Sequence, residues 1–187
     1  MTLRKNLFIF FLWWAVIGIS IFIGGTIFSM SVVVPMWSES PPESVKEFFG
    51  GTSFNKHIYN FFGVPWAPLR NLPVFFALLL GWYSKSHRLY LLITVISIIF
   101  SLVFTVAYIY PINDILMTQA GGNKSSEEIQ VLVNKWIFSD RLRFAVVFVG
   151  YFFLLKAFRI PISQQKISKS NIRETKMDEI RLSEDLV

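Results

Sequence analysis

The side chains best equipped for chemistry stand in two short stretches, Tyr110-Pro111-Ile112-Asn113-Asp114 and the segment from Trp136 to Arg143. Trp136, Asp140 and Arg143 are spaced by four and three residues, so a helix would carry them on one face. If that face meets Asn113, then an amide, an indole, a carboxylate and a guanidinium converge, with Asp114 beside them. Charged groups near a hydrocarbon layer face partners or a water-filled cavity because the alternative is costly, which makes this cluster the leading candidate site. Two readings stay open at this level. The groups orient a bound molecule, or Arg141 or Arg143 pairs with Asp140 or Asp114 and locks a loop to the protein.

A stripe of hydroxyls leads toward the cluster: Thr94, Ser97, Ser101, Thr105 and Tyr108 follow one another at three or four residues in a run otherwise made of Ile, Leu, Val and Phe. Its face should point inward, either bonding to a neighbouring helix or lining a polar cavity. Other chemistry is poorly provided for. The chain has no Cys and two His, and His57 and His87 fall on opposite sides of the membrane in the topology below, so no metal site or cofactor is expected. Gly24-Gly25 and Gly121-Gly122 are isolated pairs without the surrounding pattern of a phosphate-binding loop.

The elements that must position these residues follow from composition. Of 187 residues, 53% are hydrophobic and 16% charged, with 20 Phe and 6 Trp, more apolar side chain than a small soluble domain can bury. The expected fold is an all-α membrane protein, a four-transmembrane-helix bundle with spans at about 7–34, 66–84, 89–110 and 136–158. Gly18, Gly25 and Ser29, with Ser20 and Gly24, would let other helices approach the first span closely. Pro65, Pro68 and Pro73 crowd the second, which must begin near Trp66 and bend. No charge is expected near the middle of any span.

Orientation comes from the basic residues at the span ends. Arg4, Lys5, Lys85, Arg88, Lys156, Arg159, Lys166 and Lys169 collect on one side, which places both termini in the cytoplasm and the protein in the plasma membrane. Two loops, 35–64 and 111–135, then lie outside. In the first, Phe54, Ile58, Phe61 and Phe62 predict a short interfacial helix, preceded by a smaller segment from Glu43 to Phe49 between Pro41-Pro42 and Gly50-Gly51; together they would form a lid. Residues 161–187 read as a polar cytoplasmic tail.

This arrangement resembles the anthrone-oxygenase-like family of small four-span membrane proteins, most of them without an assigned role. The resembling pieces are a glycine-containing first span ending in Pro35, the Tyr110-Pro111-Ile112-Asn113-Asp114 segment, and Trp136 followed by Arg143. The resemblance implies a cofactor-independent oxygenase that converts an anthrone to an anthraquinone with dioxygen, with Asn113, Trp136 and Arg143 as the catalytic positions. Tyr108, Asp114 and Asp140, read from the stripe and the cluster themselves, would contribute to binding. An Arg and an Asn would share the stabilisation of the enolate formed when the carbon acid loses its proton. Asp140 departs from the pattern, which leads one to expect an Asn- or His-like residue.

Three function classes remain: a membrane enzyme acting on a hydrophobic aromatic molecule, a non-catalytic bundle binding lipid or a protein partner, and a transporter or pore. The third is disfavoured by the absence of a repeated half and of mid-span charge. The expected partners are membrane lipids and a hydrophobic small molecule, with a homo-oligomer allowed and nucleic acid excluded.

Overall fold

The computed structural model describes residues 3–50 and 61–161, and among them every regular element is helical. Helix α1 runs Leu3–Ser38, α2 Glu43–Phe49, α3 Trp66–Gly81, α4 Lys85–Thr118 and α5 Ser126–Arg159. The interfacial helix expected around Phe54 and Ile58, and the tail after Pro161, lie outside the described residues. The segment from Glu43 to Phe49 is a helix whose Val45 and Phe49 are buried.

Two of these helices, α1 and α4, are long and apolar enough to cross a membrane. In their most apolar windows only 33% and 28% of residues are buried, so most of that apolar surface faces outward. Helix α1 packs along α3 and α4 along α5, while contacts between α3 and α4 and between α1 and α5 close the ring. The small residues on α1 serve these approaches unequally. A Cβ at Gly18 would lie 3.1 Å from the Arg70 backbone and one at Gly25 only 2.4 Å from the Phe61 ring, whereas Gly24 meets nothing within 4 Å. Ser20 shares a 2.7 Å hydrogen bond with the Tyr151 hydroxyl.

Length differences shape the end of the bundle where α3 begins. Helices α1, α4 and α5 have 36, 34 and 34 residues, each reaching about 50 Å, whereas α3 has 16 and spans about 24 Å. Helix α3 therefore stops short, and Phe62 and Gly63 come in above it. Pro65 caps its start and Pro68 falls in the first turn, where a missing N–H costs little.

The prolines expected to end spans one and three do not end the helices. Each is preceded by one widened turn with five-residue hydrogen bonding, Ser29–Val33 before Pro35 and Thr105–Ile109 before Pro111. The ring of a proline clashes with the carbonyl four residues back, here Ser31 and Ala107, and widening that turn relieves the clash without breaking the helix. The segment 111–135 is accordingly no long outer loop. Helix α4 continues to Thr118, a left-handed turn passes through Ala120, Gly121 and Gly122 (φ 48°, 87° and 53°), and Ser125 starts α5. The Ser125 hydroxyl accepts from the Glu128 amide at 3.3 Å and the Glu128 carboxylate accepts from the Ser125 amide at 2.9 Å, a reciprocal cap that starts α5 well before Trp136. These bonds, the Ser125 amide foremost and then Lys124, hold the exposed Glu128 carboxyl below the usual glutamate range.

Two apolar clusters fill the interior. The inner one joins Leu12, Ala15 and Ile19 of α1 to Val74 and Ala77 of α3, Leu91 of α4 and Leu154 of α5. The outer one gathers Trp37, Val45, Phe49, Ile109, Leu116, Ile129, Val133 and Trp136 from every described helix except α3.

Candidate functional site

Between the two clusters lies a polar layer around a cavity of about 100 Å³. Its floor and walls come from Thr26 and Ser29 of α1, Thr105 and Asn113 of α4, and Trp136, Asp140 and Arg143 of α5, with Trp37, Phe49 and Phe62 as aromatic covers. Both widened turns before Pro35 and Pro111 contribute lining residues, Ser29 with Val33 and Thr105 with Ile109. The spacing of Trp136, Asp140 and Arg143 does place them on one face, and that face meets α4 as expected.

The hydrogen bonds are specific. The Trp136 indole donates to Asn113 Oδ1 at 2.5 Å, and both residues are buried. Trp37 stands edge-on to Trp136 at 5.1 Å between ring centroids, and Phe49 packs on Trp37 at 5.6 Å. Arg143 pairs through Nη2 with the buried carboxylate of Asp140 and donates through Nη1 to Thr105 Oγ1 at 3.3 Å. Its Nε is buried and has no hydrogen-bond partner among the described residues. Thr105 in turn donates to the Ser101 carbonyl at 2.7 Å, so its hydroxyl proton is spent within the helix and its oxygen is free to accept from Arg143.

Not every expected residue joins the site. Tyr108 is 49% exposed and stacks on Phe104 at 5.4 Å, outside the cavity lining. Two residues on, Tyr110 reaches the cavity margin instead, because the widened turn shifts the register of the stripe. Asp114 points to the end of α4, where it accepts from Gln119 Nε2 at 3.1 Å, and Arg141 is exposed. Lower on the stripe, Thr94 donates to the Gly150 carbonyl at 3.0 Å and the Ser97 side chain packs where a Cβ on Gly150 would lie. The hydroxyls thus join helices at one end and line a cavity at the other.

Phe62 covers the cavity as the lid expectation had it, but sequence reasoning missed Trp37 and above all Arg70. Arg70 belongs to α3 beside Gly18 and Phe22 of α1, its guanidinium carbon 3.9 Å from the Phe22 ring centroid. Gly18 is about 16 Å along α1 from Leu7, so if α1 crosses a membrane from Leu7, Arg70 lies beside the middle of that span, against the expectation of no mid-span charge. Because α3 is short, its first turns lie beside the middle of α1 and not beside its end. The signal was present in the sequence as a lone basic residue among the prolines that open this helix.

Among the described residues no three His, Asp or Glu side chains stand close enough to hold a metal ion. Comparison of the chain with protein-family profiles, with curated proteins and with solved structures finds no match in any of the three.

Proposed function

We propose that this chain is an integral membrane protein of four spans, with both termini on the cytoplasmic side of the plasma membrane, whose cavity at the outer end binds a hydrophobic molecule through an oxygen atom. The spans are supported by the outward apolar faces of the four elements: Trp13, Ile17 and Ile21 on α1, Leu72, Phe76 and Leu79 on α3, Ile96 and Val103 on α4, and Phe148 and Phe152 on α5. Basic residues gather at one end, where Arg4 donates to the Leu80 carbonyl at 2.7 Å.

The observation that carries the binding reading is the Arg143 Nε, unpartnered among the described residues, of a side chain that lines a cavity walled by both polar and aromatic groups. A buried donor without an acceptor costs about 1–3 kcal/mol, which a ligand oxygen at that position would recover. Asp140 and Thr105 fix the guanidinium, so the remaining N–H has a set direction. In the anthrone-type reaction that the resemblance implies, a ring methylene would lose a proton, its enolate oxygen would rest on Arg143, and the carbanion would combine with dioxygen and regain a proton to give a hydroperoxide. Loss of water then leaves the ketone: one dioxygen is consumed per methylene, one of its oxygens stays in the new carbonyl, and the other departs as water with the two methylene hydrogens. A cavity of about 100 Å³ is smaller than the roughly 150 Å³ that admits benzene, so a tricyclic guest requires Phe62 to swing outward. A second reading, a structural cluster without a ligand, is favoured by the Trp136–Asn113 and Arg143–Asp140 pairs, which satisfy each other.

Quenching of tryptophan fluorescence by a panel of flat phenolic ketones, including anthrone, separates the two. Binding is expected in the wild type and should strengthen in Phe62→Ala, which enlarges the entrance; Arg143→Met should weaken it at least tenfold. No binding to either the wild type or Phe62→Ala leaves the structural reading. Oxygen uptake with anthrone above the uncatalysed rate, reduced in Arg143→Lys, would support the oxygenase.

A further inference from the structure

A second, smaller void of about 20 Å³ is lined by Phe22, Arg70, Asn71, Ser101 and Val147 among others. Phe22, Ser101 and Val147 are each four residues, about one helical turn, from Thr26, Thr105 and Arg143 of the larger cavity. The two voids are therefore stacked along three helices, with Arg70 one turn deeper than Arg143. Arg143 is also the charged side chain that Arg70 feels most directly.

The charges in this stack do not balance. Arg70 and Arg143 carry two positive charges, and among the described residues Asp140 is the one carboxylate lining either void. Asp140 is committed to Arg143, while Arg70 makes no ion pair and no hydrogen bond among the described residues and rests only on the Phe22 ring. An aromatic face attracts a guanidinium but offers no counter-charge. A cation held at mid-height in a membrane protein normally faces a partner or a ligand.

Resting on the cavity-binding reading above, we infer that the ligand is an anion: an amphiphile whose single negatively charged oxygen head, a carboxylate or a phenolate, enters the stacked voids between Arg143 and Arg70. The charge of such a head brings the stack to neutrality. Its oxygens meet the open Nε edge of Arg143 and the free donors of Arg70, groups suited by shape to planar oxyanions. The small volume admits the head, and the apolar body lies against Phe49, Phe62 and Met117. Two sources supply this chemistry, a fatty acid from the surrounding bilayer or an acidic aromatic compound.

Paired probes test the charge and the source together. The full chain, in nanodiscs of phosphatidylcholine, is titrated with oleate against oleamide and with 1-naphthoate against 1-naphthamide, following tryptophan fluorescence. In at least one pair the acid is expected to bind tenfold or more tightly than its amide, and the pair that responds identifies the source. Arg70→Met should reduce that ratio to less than threefold and Arg70→Lys should largely keep it. Equal binding of acid and amide to the wild type overturns the anion inference while leaving the cavity reading intact, and so does an undiminished ratio in Arg70→Met. Failure of all four probes rejects the cavity reading and the inference together.

Discussion

Replacing Arg70 by Met should make the protein more stable, the reverse of what removing a half-buried side chain packed on a ring usually does. A guanidinium at the centre of a membrane helix costs about 2.5–3.5 kcal/mol. Repulsion from Arg143 one turn away adds about 1–2 kcal/mol at an effective dielectric near 20. Against these stands the contact with Phe22 at 3.9 Å, worth about 1–2 kcal/mol, part of which a methionine sulfur would restore. Met also keeps the unbranched stem beside Gly18, so the close approach of α1 and α3 is undisturbed. The balance favours Met by about 3 kcal/mol, which for a chain of this size raises the unfolding midpoint by about 6–12 °C. The assay is thermal unfolding in a non-ionic maltoside detergent, followed by tryptophan fluorescence. Saturating the wild type with the acid it binds best should narrow the gap, because the bound head supplies the missing counter-charge. A midpoint for Arg70→Met below that of the wild type would refute the reasoning and make Arg70 a structural residue.

Trp136→Phe keeps the edge-on contact with Trp37 but leaves Asn113 Oδ1 buried without its donor, and should lower stability by about 1–3 kcal/mol in the same thermal assay. Gly121→Ala should lower it by about 1–2 kcal/mol, since φ is +87° there and a Cβ would meet the Ile129 side chain at 2.8 Å. Because the carboxyl of Glu128 is held below its usual value near 4.5, the stability it contributes is present above that value and is lost as the pH falls through the lower folded value. Glu128→Gln should therefore flatten the acid limb of midpoint against pH. Of the exposed positions Glu39 and Ser86, Glu39→Cys should label only from outside the cell and Ser86→Cys only from within; the opposite pattern would reverse the orientation.

How much of this could be read from the sequence differs by element. The face shared by Trp136, Asp140 and Arg143 was legible because helical spacing is a local property, whereas its meeting with Asn113 stayed a condition, since which faces of two helices touch is settled only by packing. The inward turn of Thr94, Ser97 and Ser101 was legible for the same reason. Tyr108 went astray because one widened turn shifts a stripe by part of a turn, and nothing local distinguishes a proline that ends a helix from one absorbed upstream. The Ser125-x-x-Glu128 pattern that lengthens α5 is visible in the sequence, but hydropathy alone does not register it, since the turns it starts are polar. Arg70 was hidden for another reason: the height of a residue depends on how far its neighbours extend, and the shortness of α3 acquires meaning only beside three helices twice its length.

On the four-span reading proposed above, those three long helices place one chain in two solvents. A hydrocarbon layer of roughly 30 Å accounts for little more than half of their length of about 50 Å, so the cluster of Trp37, Val45, Phe49, Leu116, Ile129 and Val133 is assembled in water. There the hydrophobic effect drives association, with the heat-capacity signature and the urea sensitivity that accompany it. Within the bilayer, lipid tails are as apolar as the side chains, and packing and hydrogen bonds have to serve instead. Urea, or cooling, should accordingly loosen the extramembrane cap while the spanning helices stay together. Since Trp37, Phe49 and Trp136 belong to that cap and also wall the cavity, ligand binding and the aromatic circular dichroism of those rings should be lost at a urea concentration that leaves helix content nearly intact.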